Sequence, residues 1–161
     1  AKLHQYKLRS KVSIVEREGF SVAALFNGTI EGALPDPRLS GLGRRVALPG
    51  DEAEAVLRGA GFTIRGIDAY TAQRIALGVP DRSDFEQERS FLLECNGEEL
   101  GGVDFRKGCY VGQELTARMK HRGTARRRIL RISGPGLVRG AIVQDGSRDI
   151  GEVLSSQDGQ G

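Results

Sequence analysis

Cys109 is the residue of this chain best placed to do chemistry. It stands in Asp104-Phe-Arg-Lys-Gly-Cys-Tyr-Val-Gly-Gln-Glu114, between Gly108 and Gly112 and directly ahead of a helical pattern. Val111, Leu115 and Met119 fall at i, i+4 and i+8 as a narrow apolar stripe, with Gln113, Glu114, Arg118, Lys120, His121 and Arg122 on the other faces. Glycine is the usual residue where a backbone needs positive φ or close approach, so the two glycines predict a tight turn before the helix. Unpaired N–H groups and the dipole of a helix start favour negative charge. Arg106 and Lys107 add positive charge, so a partly exposed Cys109 would be stabilised as thiolate, with Lys107 lowering its pKa or holding an anion. Placement alone fits equally a small cysteine packed behind a turn.

The elements that must hold this loop are legible as patterns. Residues 2–9 read as a helix tail. Lys11–Glu16 alternates as a half-buried strand does, and Ser21–Phe26 forms a second strand, a plausible antiparallel pair. Asn27-Gly28 is a turn. Asp36-Pro37-Arg38 reads as a turn capped by Asp36 with Arg38 solvated, and Gly41-Leu-Gly43 precedes a short strand over Arg44–Leu48. Asp51, with Glu54 three residues on, predicts a capping box for a helix ending at Gly61. A further helix runs over Gly66–Gly78 and stops at Pro80. Asp81–Ser90 is a polar loop. Phe91–Asn96 reads as an edge strand with Leu93 and Cys95 facing the core and Glu94 outward; Glu98, Glu99 and Asp104 read as solvated acids. Ala125–Ser133 alternates, and Gly140–Val143 and Ile150–Leu154 follow as short strands between turns, the pattern of a small antiparallel barrel.

Composition bounds the function. Hydrophobic residues make up 39% and charged residues 28% of 161 residues, as in a soluble globular protein of one domain or one domain and part of a second. No apolar run approaches the roughly 18 residues of a membrane span. Two cysteines, Cys95 and Cys109, make no disulfide framework and are too few for a cluster that wants about four thiolates. His4 and His121 have no zinc-ligand spacing. Between Gly112 and Arg131 seven Lys or Arg face one acid, Glu114, a local excess of six positive charges in a chain of net charge +3. Such a face suits a polyanion or a small multi-anionic ligand. Direct RNA contact is one reading of it, although Tyr110 alone lies near as a stacking platform.

The unbroken string Lys107-Gly-Cys-Tyr-Val-Gly-Gln-Glu114 resembles the signature of the YgfZ family, folate-binding relatives of the glycine-cleavage T-protein whose mitochondrial members assist iron–sulfur protein maturation. Asp36, Arg38 and Arg44 fit an Asp-x-Arg and Leu-Gly-x-Arg pattern of that family. Arg74-Ile-Ala-Leu-Gly-Val-Pro80 resembles a T-protein helix end, and Phe91–Asn96 resembles the segment that presents a glutamate to the pterin ring. A carboxylate there accepts two parallel N–H donors from an amino-pyrimidinone edge.

The resemblance implies an α+β fold: a T-protein-like folate-binding domain over 1–124, its N-terminal part missing, then the start of a C-terminal β-barrel over 125–161. The chain, which begins at Ala1 and ends in Gln-Gly, is accordingly read as incomplete at both ends. It also implies tetrahydrofolate or a derivative as cofactor. Cys109 and Lys107 would be the reactive pair, and Glu94, Tyr110, Gln113, Glu114 and Arg118 the folate contacts, with Glu114 also set to pair with Arg118 at i+4. The implied function is support of iron–sulfur cluster assembly or repair in client enzymes, including those that modify tRNA. Its setting would be a bacterial cytoplasm or the mitochondrial matrix, with client or assembly proteins as partners and no membrane. The alternatives are aminomethyltransferase activity of the T-protein kind, against which the Lys-Gly-Cys-Tyr string argues, and the direct RNA module.

Overall fold

The computed structural model describes every residue except Ala1, Gln87, Glu88, Thr124 and Arg126, with the backbone alone at Lys2, Leu3 and Tyr6. Arg126 of the basic run and Thr124 at the expected boundary therefore lie outside the described residues. The architecture is α+β. A helix, α1 (Lys2–Lys7), is followed by a three-stranded antiparallel sheet of β1 (Phe20–Leu25), β2 (Leu34–Pro35) and β3 (Arg44–Pro49), in the order β1-β3-β2. Helices α2 (Ala53–Gly59) and α3 (Ile67–Ala76) come next, then α4 (Gln113–Arg122) and a hairpin of β4 (Ile142–Asp145) and β5 (Arg148–Glu152).

The first core forms because the period-2 pattern of β1 and β3 turns Leu25 and Val46 to one side, where they meet Ala33 and Leu57 of α2. Ile30, Leu48, Phe62 and Ile64 close around them. Gly43 makes the entry to β3 possible. Its φ is +70°, and a Cβ there would overlap the Leu25 carbonyl oxygen, so glycine alone fits both the left-handed backbone and the close approach. A second core gathers Leu93, Val103 and Met119 with Phe105, Tyr110 and Ala125.

Several expected elements take other forms. Lys11–Glu16 forms no strand, and β1 pairs with β3 instead, Val22 opposite Ala47. The alternation is real, but a strand exists only with a partner, and no described strand pairs with Lys11–Glu16. The Asp51 capping box is absent. Glu52 caps α2 without a side-chain bond, and Glu54 pairs with Arg58 at 2.6 Å. Phe91–Asn96 is a series of turns, held by Glu94 N–H to Phe91 carbonyl and Gly97 N–H to Leu92 carbonyl bonds. Ala125–Ser133 is not a strand among its described residues. Ile129 donates its N–H to the Glu94 carbonyl, and only at the end of the segment is there antiparallel pairing, Ile132 exchanging both bonds with Gly161 and Ser133 bridging Gln160. Of the expected barrel strands, the β4–β5 hairpin is present, turning at Gly146-Ser147.

The expected polar loop after Pro80 carries a buried ion pair. Arg82–Asp84 is a short 3-10 turn in which Asp81 and Asp84 cap each other, and Asp84 binds Arg74 at 2.9 Å. Both side chains are buried. Arg74 also donates to the Val79 carbonyl and to Ser155 Oγ, and Ser155 in turn donates to Asp84. The end of α3, the turn behind it and the chain after β5 meet at this one point. Removing one member of a buried pair strands the other charge and costs about 3–5 kcal/mol, whereas replacing both with apolar residues is often close to neutral. We expect Asp84→Ala to lower unfolding free energy by about that amount in urea titrations, and the double variant Arg74→Met/Asp84→Leu to recover most of it.

Candidate functional site

Cys109 lies on a loop without regular structure, three residues ahead of Gly112, and it is exposed. Gly112 caps α4 with φ +85°, the left-handed conformation that the glycine predicted. Gly108 needs no such allowance: its φ is not positive, and a Cβ there would meet nothing within 4 Å. The loop is anchored on one side. Tyr110 packs into the second core beside Leu93 and Met119, and Lys107 lays its ammonium over the Tyr110 ring at 5.0 Å. That contact holds Lys107 by cation–π attraction. Arg106 bends back toward Asp104, whose carboxylate takes the Arg106 N–H and is thereby pushed below its ordinary pKa.

The apolar stripe of α4 is buried only at Met119. Val111 is 91% exposed and Leu115 about half exposed, because the second core lies under the far half of the helix. Gln113 is half-buried, and Glu114 binds Arg118 at 2.7 Å as their i+4 spacing predicts. Glu94 is half-exposed beside buried Leu93, so its neighbour shares a core with Tyr110. Cys95 is half-buried, and burial raises its pKa. Glu98 and Glu99 are not merely solvated: Lys120 binds Glu98 at 2.6 Å and Arg128 binds Glu99 at 2.7 Å. Arg131 donates to the Ala76 carbonyl. Three of the segment's seven cations, Arg118, Lys120 and Arg128, are thus paired with acids of the chain.

The Asp36 cluster is a second polar centre, and sequence reasoning understated it. Asp36 does cap its turn, accepting the Arg38 N–H, but it is only 4% exposed, and Arg38 is part-buried and bonded to it rather than free in solvent. Arg38 clasps it through Nε and Nη2, and Arg45 adds Nε at 2.8 Å. The Arg38 hydrogen bonds, with the Arg45 charge, overcome burial and hold the Asp36 carboxyl at about 2. Arg44 faces elsewhere, donating to the Ala33 carbonyl. Arg45 sits one residue after the arginine singled out in the motif, and its pairing with Asp36 is a cross-strand relation that no local pattern displays.

The chain is similar to proteins named as mitochondrial iron–sulfur cluster assembly factors. It is 41% identical over 140 residues to the IBA57 homolog of Mycosarcoma maydis, covering 81% of this chain and 34% of that protein. It is 42% identical over 99 residues to the Neurospora crassa homolog, covering 61% and 22%, and 39% identical over 114 residues to that of Aspergillus oryzae, covering 66% and 25%. The chain therefore spans about a third or less of the length of these relatives. No family model matches it.

Two measurements check the site. With 5,5′-dithiobis(2-nitrobenzoate) on folded protein, Cys109 is expected to react at once and Cys95 slowly. Cys109→Ser should remove the fast phase, and a surviving fast phase would contradict the exposure. Asp36, with a folded pKa below its ordinary 3.8, stabilises the fold fully above the unfolded value and loses that contribution as pH falls through about 2. Its worth is about 2 kcal/mol. Asp36→Asn should therefore flatten the fall in stability between about pH 4 and 2 seen by denaturant titration.

Proposed function

We propose that this chain belongs to a protein of the YgfZ type that supports iron–sulfur cluster assembly or repair in client enzymes, those that modify tRNA included, in the mitochondrial matrix. The observation that carries this reading is the exposed Cys109 thiol, set on an anchored loop ahead of α4 in a chain similar to named assembly factors. An accessible cysteine that gives up its proton on binding is a ligand for the iron of a cluster in transit, and the two cysteines of this chain are too few to hold one alone. The cluster is then substrate, shared with a client or assembly protein whose own thiolates complete the set. Exposed Val111 and Leu115 beside Cys109 give such a partner an apolar foothold. Lys107, held over Tyr110, keeps a positive charge next to the sulfur-bearing loop.

A reduced folate is the cofactor this reading assigns to the whole protein. The residues present fit it in part. The Tyr110 hydroxyl is buried without a partner among the described residues, as a group awaiting a ligand or another part of the protein would be. Neither of the two cavities described is lined by Cys109, Glu94, Tyr110, Gln113, Glu114 or Arg118. Glu114 and Arg118 engage each other. The pairing of Lys120 with Glu98 and of Arg128 with Glu99 reduces the positive charge this segment would offer to RNA.

The test is complementation. In cells lacking the corresponding factor, the full-length protein with Cys109→Ser should leave iron–sulfur enzyme activities at the level of the empty strain, and Lys107→Ala should restore them in part. Wild-type activity from both variants would reduce the loop to a turn. Tetrahydrofolate titration of the same protein and of Glu94→Ala checks the cofactor, with equal affinity removing Glu94 from the site.

A further inference from the structure

A cleft of about 980 Å³ lies far along the chain from the Cys109 loop, between β1 and the segment that joins α2 to α3. Its walls carry Leu57, Phe62 and Ile64 as an apolar surface and Arg45, Arg65 and Tyr70 as polar groups. Among the described residues no Asp or Glu lines it. A cavity of this size, mainly apolar with a few convergent polar groups, is the form a small-molecule site takes.

The charge balance says what kind of molecule. Asp36 is shared by Arg38 and Arg45, so this trio keeps one positive charge in excess. Arg65, exposed and without an acidic partner among the described residues, adds a second. Tyr70 sharpens the point. Its hydroxyl oxygen accepts from Arg38 Nη2 at 2.9 Å and from Arg45 Nη2 at 2.8 Å. A phenol oxygen so occupied still has its own proton to donate, and no described residue accepts it. On the same wall α3 begins at Gly66, which caps it with no side chain, so its first N–H groups carry no side-chain acceptor. Asp68 of that first turn is not among the lining residues. Two guanidinium groups, a phenol proton and uncapped amides share one need, an anionic acceptor, and the same cleft is lined by Leu57, Phe62 and Ile64.

We propose that this cleft binds a small molecule with a flat apolar body and an anionic head, carboxylate or phosphate, the head at Arg45, Arg65 and Tyr70 and the body against Leu57 and Phe62. The site is separate from the Cys109 loop and does not rest on the function proposed for it. Guanidinium pairs with either head in a charge-assisted geometry, and the ring buries against the apolar wall.

Isothermal titration of the full chain with 1-naphthoate, 1-naphthyl phosphate and the neutral 1-naphthalenemethanol tests this. One of the two anions should bind about tenfold or more tighter than the alcohol, and which anion wins identifies the head group. Arg65→Gln removes an exposed side chain with no described partner, so the fold should stand while the preference for the anion falls severalfold. Tyr70→Phe should weaken the anion and leave the alcohol unchanged. Equal binding of anion and alcohol, or an anion preference that survives in both variants, would overturn the proposal. So would loss of binding when Cys109 is capped with iodoacetamide, which would put the ligand at the loop.

Discussion

The fold hangs on the buried contact of Arg74 with Asp84. Two charges removed from water in a chain this size are costly, and here they gain further partners beyond each other: the Val79 carbonyl, the Asp81 amide and Ser155. The geometry ties together parts of the sequence that local forces leave independent. Arg74 and Ser155 are far apart in the chain, yet they share this carboxylate. With α3 fixed at its end, Tyr70 one turn earlier is fixed too, and with it the meeting of Arg38 and Arg45 at the phenol. A structural ion pair thus sets the position of a polar centre that lies elsewhere.

Local signals were readable where a single stretch carries its own explanation. The apolar alternation of β1 and β3, the stop of α3 before Pro80 and the left-handed Gly112 each depend on near neighbours, and each was anticipated from residues in place. The hairpin β4–β5 follows the same rule, since its turn is built from adjacent residues. The placement of Cys109 ahead of a helix was legible for that reason, though its exposure was left open between two readings.

What escaped was what depends on distance along the chain. Lys11–Glu16 has a strand's pattern but no partner. Phe91–Asn96 has apolar residues for a strand, yet closes on itself in turns because its amides find carbonyls a few residues back. Glu98 and Glu99 look solvated until Lys120 and Arg128 come alongside. The stripe on α4 misled in the opposite sense: periodicity names a face, but only packing decides how much of that face is covered, and Val111 lies beyond the edge of the core.

One feature of the sheet carries further. Among the described residues β1 pairs with β3 alone along Phe20–Leu25, while on its other side β3 is covered only at Arg44 and Arg45, by the two-residue β2 with its proline. Val22 to Leu25 of that strand also line the Arg45–Tyr70 cleft. A guest in the cleft would therefore sit beside a strand edge, where extended backbone of another segment could also add, so small-molecule binding and strand addition would meet along the same residues.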